Sequence, residues 1–336
     1  MHGWIILDKP LGLGSTQGVS AVKRALRDGG YGKFKVGHGG TLDPLATGVL
    51  PIAIGEATKL AGRMLDSDKV YDFTIGFGVQ TDTLDLEGVE VAASAHRPTL
   101  LDIEAVLPRF TGPIAQVPPA YSALKVDGQR AYDLARAGEE VVLASRSVTI
   151  HALYSSPARG GGPLGSFSRV VEGDLHERNA AGLPPPPSAE EADGPPPRSG
   201  EELQEITLTA HVSKGTYIRS LARDVAIALG TVGHVTMLRR IKAGPFTLQS
   251  AISLDNLAES GKARALEDKL LPLRAALDDI PALPLTPDQA GLLRQGRVLI
   301  GIAADDGQYF ACADESPVAL VEVQDREVRV VRGFNL

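Results

Sequence analysis

Cysteine is almost absent: Cys312 stands alone in 336 residues, which excludes an internal disulfide and suits a reducing compartment. No window holds about 18 consecutive apolar residues, so a membrane-spanning helix is excluded. The apolar stretch ahead of Asp8 and Lys9 is too short for the core of a secretion signal. The seven histidines form no HxxxH or HxH pair of the kind that sets two ligands on one metal. Gly37, Gly39 and Gly40 do not complete GxGxxG, because Leu42 occupies its last position, and no Lys-Ser or Lys-Thr follows to make a phosphate loop. Nor is there a GxSxG nucleophile elbow. These absences predict a soluble, cytoplasmic, metal-free chain with no nucleotide cofactor.

An excess of positive charge is also missing. The chain carries 34 Lys and Arg against 41 Asp and Glu, a net charge of −7, which taken whole argues against a nucleic-acid partner. The distribution of the charges points the other way. Residues 1–70 hold nine basic against six acidic residues, and residues 208–247 hold six against one, whereas residues 155–205 hold four against nine. Two locally basic segments are masked by acidic surroundings, and a phosphate-rich partner stays open.

The length predicts two domains. Within residues 155–200, Gly and Pro supply 17 of 46 positions, a composition that reads as a disordered surface insertion. The flanking segments 145–154 and 205–212 alternate β-branched and polar residues, which suits two strands of one hairpin. The insertion, at about 155–204, therefore interrupts a domain and does not divide two. Before it, WIIL (4–7) reads as a short buried strand, Ser15 as the cap of a helix with Val19, Val22, Ala25 and Leu26 on one face, residues 69–78 as a strand and 102–110 as a helix. After it, residues 216–229 have apolar Ile218, Leu221, Val225 and Leu229 at helical spacing. Beyond Pro281, strand-like runs at 297–302, 318–323 and 327–331 predict a small β-rich module. The domains are expected at 1–278 and 279–336, and the class is a mixture of strands and helices, α+β or α/β.

Two segments could carry chemistry. GHGGTLDPLATG (37–48) is Gly-rich and aperiodic, with one carboxylate, Asp43, kept out of a helix interior by Pro44. Such a loop can present an acid in a fixed pose; equally, Asp43 could cap the next turn. SKGTYIRSLARDVAIALG (213–230) puts Tyr217 and Arg219 at a helix entrance, with Arg223 one turn on, a setting for an anion or simply a solvated basic helix start. In VTMLRRIKAG (235–244), Leu238 precedes Arg239 and Arg240, most simply one core residue and two surface charges on a strand.

With these segments in order, the chain resembles a known family. DKPLGLGS (8–15), GHGGTLDPLATGVLPIAIGEATK (37–59), KVYDFTIGFGVQTDTLDLEG (69–88), QVPPAYSALKVDGQRAYDLARAG (116–138), GTYIRSLARD (215–224) and LRR (238–240) are similar to the ordered motifs of the bacterial TruB-type tRNA pseudouridine-55 synthases. The tail is similar to the small PUA-like RNA-binding module that ends many members. The sequence departs from the family at Gly14, commonly Thr, and at Gly39, commonly Thr or Ala, which points to looser loops near the site. The acidic insertion is a third departure.

The resemblance implies an α+β pseudouridine synthase fold, a central mixed and largely antiparallel sheet flanked by helices. It implies a cofactor-free isomerase that, as a monomer, converts one uridine in the T-stem loop of tRNA to pseudouridine. Asp43 matches the catalytic aspartate, a nucleophile. Because desolvation opposes the charged carboxylate, a cation is needed beside it, and Arg219 is the candidate. Tyr71 matches a tyrosine that stacks on the base and takes part in proton transfer, and Tyr217 one that contacts the flipped nucleotide. Leu238 matches an apolar residue near the uracil, and His38 a histidine that fills the space the base vacates. Lys9, Lys23, Arg239 and Arg240 are candidate phosphate contacts. Two other classes remain: an RNA-binding or tRNA-folding protein in which catalysis is secondary, and a generic α/β enzyme on a small phosphorylated substrate.

Overall fold

The structure, a computed structural model, describes residues 1–122, 124–126, 128–139, 141–155, 200–314 and 316–336. Apart from its edges, the insertion expected at about 155–204 lies outside the described residues.

The run WIIL lies in the strand Gly3–Lys9 and is buried on both sides. Successive side chains of a strand point to opposite faces. Accordingly Ile5 and Leu7 enter one core cluster while Trp4 and Ile6 enter another, which is why the segment is uniformly apolar and does not alternate. The helix Ser15–Asp28 packs Val19, Val22, Ala25 and Leu26 against Ile5, Leu7, Leu50 and Ile52. Each such fully buried aliphatic side chain contributes about 1.5–3 kcal/mol. Ser15 is not the cap. Gly14 holds that position, its N–H donating to Gln17 Oε1 at 2.6 Å, while the Ser15 hydroxyl is turned inward to another loop.

The main sheet is mixed and largely antiparallel, as expected. Its path runs Ala251–Ile252, Gly3–Lys9, Ala46–Ile54, Gly233–Ala243, Lys69–Phe77, Glu205–Val212, Arg146–Ser155, Gly112–Gln116. Only the first pair and the pair joining Ala46–Ile54 to Gly233–Ala243 are parallel. At that second junction Gly48, with φ of +96°, sits so close to its neighbour that an added Cβ would lie 2.2 Å from the Arg240 carbonyl oxygen, so no other residue fits. The strands expected on either side of the insertion do pair antiparallel. The helix Ile218–Ala228 lays Ile218, Leu221 and Val225 on Phe73 and Ile75 of the sheet. The helix expected at 102–110 is shorter, Leu100–Val106, and is capped by Thr99 before a tighter turn.

The C-terminal residues form a five-stranded sheet ordered Ala282–Pro284, Gly307–Ala313, Ser316–Gln324, Glu327–Gly333, Leu299–Ile300, with the helix Pro287–Arg294 beside it. The strand Gly307–Ala313 was not expected, because its sequence shows no clear alternation. Phe310 and Leu320 of this sheet, with Phe334 just beyond its last strand, share a cluster with Trp4, Leu60 and Met64, and Arg63 pairs with Asp279 at 2.5 Å.

Candidate active site

Asp43 lies in the loop between the strands Val36–His38 and Ala46–Ile54, and buried polar groups hold this loop residue by residue. The Arg240 guanidinium donates to the carbonyls of Gly40 (3.2 Å), Thr41 (3.3 Å) and Val49 (2.8 Å). The Ser15 hydroxyl donates to the Leu42 carbonyl and accepts from the Leu42 N–H, at 2.9 and 2.8 Å. The Asp43 carbonyl accepts from Ala46 N–H at 3.0 Å, and the Pro44 carbonyl accepts from Lys9 Nζ at 3.2 Å. Each backbone acceptor from 40 to 44 is thus matched, and the Asp43 carboxylate is left facing outward, 47% exposed.

This network corrects two expectations. Lys9 is 0% exposed and its ammonium is bound to the carbonyls of Pro10, Leu13 and Pro44, so it braces the loop and has no free face for a phosphate. Burial pushes its pKa down to about 8, opposed by the nearby Asp43. Arg240, 1% exposed, is not a phosphate contact either. The sequence reading of two surface charges on this strand therefore fails for Arg240, which lies two residues from Leu238 and on the same face. Only Arg239, on the other face, is partly open, paired with Asp8 at 2.8 Å. Nor is Gly39 a loose point: an added Cβ would meet Met64 Cβ at 2.7 Å, and close packing fills the space of the larger residue.

Arg219 reaches the Asp43 carboxylate from the first turn of the helix Ile218–Ala228, with Nη2 3.0 Å from Oδ2. Its side chain is 9% exposed and otherwise fully engaged. Nη1 pairs with Asp85 Oδ2 at 3.1 Å and donates to the Thr83 carbonyl at 2.8 Å, and Nη2 donates to the Tyr121 carbonyl at 3.0 Å. Asp85 is held in turn by the Thr83 hydroxyl (2.6 Å) and the Glu87 N–H (3.0 Å). One buried guanidinium therefore stands between two carboxylates, one enclosed and one open, and its planar fork is fixed before any ligand arrives. Sequence reasoning does not find Asp85. Its segment carries a recognisable motif, but nothing local distinguishes this aspartate from Asp82, and its role depends on a partner 134 residues away.

Asp43, Asp85, Arg219, Leu45, Met237 and Leu238 line one shallow cleft that opens to solvent. The structure thus brings together Asp43, Arg219 and Leu238. Tyr71 does not line this cleft. It is half-buried on the strand Lys69–Phe77, two residues from Phe73, whose cross-strand partner is Leu238, and Tyr71 and Leu238 pack against the same two core clusters. Tyr217 precedes the helix that carries Arg219: its N–H donates to Gln116 Oε1 at 2.8 Å and its ring lies under the Arg146 guanidinium at 4.7 Å, outside the cleft. His38 pairs with Ile52 at the far end of the Asp43 loop. Burial, with Arg240 nearby, lowers its pKa, so its ring is neutral at pH 7. Lys23 is exposed on the helix Ser15–Asp28. Among the described residues no helix is long and apolar enough to cross a membrane.

Comparison with known proteins gives the family. Residues 27–159 match the TruB family pseudouridylate synthase N-terminal domain, and residues 219–278 match the tRNA pseudouridylate synthase B C-terminal domain. The chain is 60% identical over 336 residues to a protein of Novosphingobium aromaticivorans named tRNA pseudouridine synthase B, covering 100% of this chain and 98% of that one. It is 53% identical to the protein of the same name in Zymomonas mobilis, covering 100% and 96%. Among solved structures, a chain of a Cbf5-Nop10-Gar1 complex shares the fold, with a TM-score of 0.66 at 21% identity, over 99% of this chain and 85% of that one. The chain belongs to the TruB family of pseudouridylate synthases.

Proposed function

We propose that this synthase isomerises the T-loop uridine at position 55 of tRNA, with Asp43 as nucleophile and Arg219 as its counter-ion. The coarser function, pseudouridine synthesis in tRNA, follows from family membership and from relatives of that name at 60% and 53% identity. The observation that carries the roles of Asp43 and Arg219 is the 3.0 Å pair between the open Asp43 carboxylate and an Arg219 otherwise enclosed by Asp85, Thr83 and Tyr121, while position 55 rests on the resemblance to the family.

The reaction breaks the bond from ribose C1′ to uracil N1, turns the base, forms a bond from C1′ to C5, removes the C5 proton to a base and leaves N1 protonated, so that no proton is gained or lost overall. No electrons are exchanged with another molecule and no group is imported, so the reading needs no cofactor and a single chain suffices. A carboxylate can form and release a covalent adduct without a base of its own, provided that it stays ionised as the nucleotide excludes water. Arg219 opposes the desolvation that would otherwise neutralise Asp43. Leu238 offers the uracil an apolar wall on the cleft. Tyr71, on the strand behind it, is assigned to stacking and to removal of the C5 proton, and Tyr217 to the flipped nucleotide. Flipping costs a few kcal/mol, offset by stacking and phosphate contacts, with His38 taking the vacated space. Exposed Lys23 and partly open Arg239 remain as phosphate contacts.

The experiment is to incubate the protein with an unmodified tRNA transcript, without added metal or cofactor, and to map pseudouridine by position. Pseudouridine at the single T-loop position 55 is expected. Product confined to another position, or none at all with the RNA bound, would defeat the assignment.

A further inference from the structure

On the opposite side of the sheet from Tyr71, three side chains from separate segments converge. His211 is the cross-strand partner of Val70, next to the Ala210–Tyr71 pair, and alternate residues face opposite sides. His151 comes from the neighbouring strand, where the register shifts between Ile150 and Ala152. This bulge inserts one extra residue and re-aims it, so that His151 and His211 lie on one face with ring centroids 4.7 Å apart. Asp68, just ahead of the strand Lys69–Phe77, completes the group: its Oδ2 is 3.2 Å from His151 Nε2 and 3.7 Å from His211 Nε2.

We infer that Asp68, His151 and His211 form a site for a divalent transition-metal ion of the zinc type. The three donor atoms lie within 4.8 Å of one another. A tetrahedral zinc with bonds of about 2.0–2.2 Å sets its ligand atoms roughly 3.4 Å apart, a value the two measured separations bracket. Two imidazoles and one carboxylate suit zinc better than magnesium, which favours an all-oxygen octahedron. Among the described residues the neighbouring charges include Lys69, next to Asp68, Lys242 beside His211, and Asp66 and Lys214, themselves paired at 3.2 Å. The site contains no residue of the Asp43 cleft. A bound ion would tie the arms of the hairpin to the start of the strand that carries Tyr71 and keep one coordination position for water. Local spacing hides it, because each ligand comes from a different part of the chain.

The test uses the full, untagged chain stripped with a chelator and titrated calorimetrically with Zn²⁺ and, separately, Mg²⁺. One Zn²⁺ per chain is expected, with affinity reduced at least about tenfold in His211→Ala and in His151→Ala. Asp68→Asn, which removes the charge with almost no change of shape, should weaken binding as well, and Cys312→Ser should not. Co²⁺ should give the visible absorption of a tetrahedral site in the wild type and lose it in His151→Ala. Absence of saturable Zn²⁺ uptake, Mg²⁺ binding of equal affinity, or uptake unchanged in both histidine variants would overturn the proposal.

Discussion

Two sets of buried cations flank the Asp43 loop and use their charge in opposite ways. Lys9 and Arg240 bind six backbone carbonyls between them and fix the path of the chain. Arg219 is paired with two carboxylates and leaves one of them, Asp43, facing the cleft. The first set holds a shape and the second sets the electrostatics around the carboxylate proposed as the nucleophile. In sequence all three are basic residues in short motifs, and Lys9 and Arg240 read there as phosphate contacts while Arg219 reads as a counter-ion; burial and partner type separate the two sets.

The contrast can be broken at either end. Asp43→Asn is expected to have the largest effect, turnover below about 1% of wild type with tRNA still bound within about tenfold. Arg219→Ala should lower the rate by roughly 10²-fold or more, while affinity for tRNA changes far less. It also strands the enclosed Asp85, so its thermal stability should fall, and Arg219→Lys, which keeps the charge but loses the fork, should recover stability before it recovers rate. Asp85→Asn keeps the outline and removes the charge that orients Arg219; a rate loss of about tenfold with unchanged tRNA affinity is expected from single-turnover kinetics.

Smaller effects should appear in the bracing set. Lys9→Met removes the ammonium from the Pro10, Leu13 and Pro44 carbonyls, of which Pro44 keeps the Gly12 N–H at 2.9 Å, and Arg240→Met removes the guanidinium from those of Gly40, Thr41 and Val49; either should cost about 1–3 kcal/mol in denaturant unfolding. The salt dependence of tRNA binding should not change in either, whereas loss of a true phosphate contact would reduce its slope by about 0.9. Burial lowers both Lys9 and Lys69 to about 8 from 10.5, so between those values the unfolded chain binds more protons than the folded one. Their contribution to stability therefore rises with pH across that window, and the rise should be smaller in Lys9→Met than in wild type.

The sequence told much of this, unevenly. The strand Gly3–Lys9 was legible as a short continuous apolar run, and the first helix and the hairpin around 155–204 because their periods are strong. Asp43, Arg219 and Leu238 were legible through ordered motifs, and the structure places them in one cleft. Asp85 was not, because its meaning lies in a contact with Arg219 across the fold, and the same holds for Asp68, His151 and His211. Lys9 and Arg240 were misplaced for a related reason: a buried cation is rare, and only the carbonyls gathered around it make burial possible.

The most direct test measures the single-turnover rate of pseudouridine formation and the tRNA dissociation constant side by side for wild type, Asp43→Asn and Arg219→Ala. If the open carboxylate and its enclosed guanidinium act on the reacting nucleotide, both rates fall by more than about 100-fold while both dissociation constants stay within about tenfold of wild type. A variant that weakens binding as much as it slows the reaction, or an Asp43→Asn protein that retains more than about 1% of the rate, would contradict it.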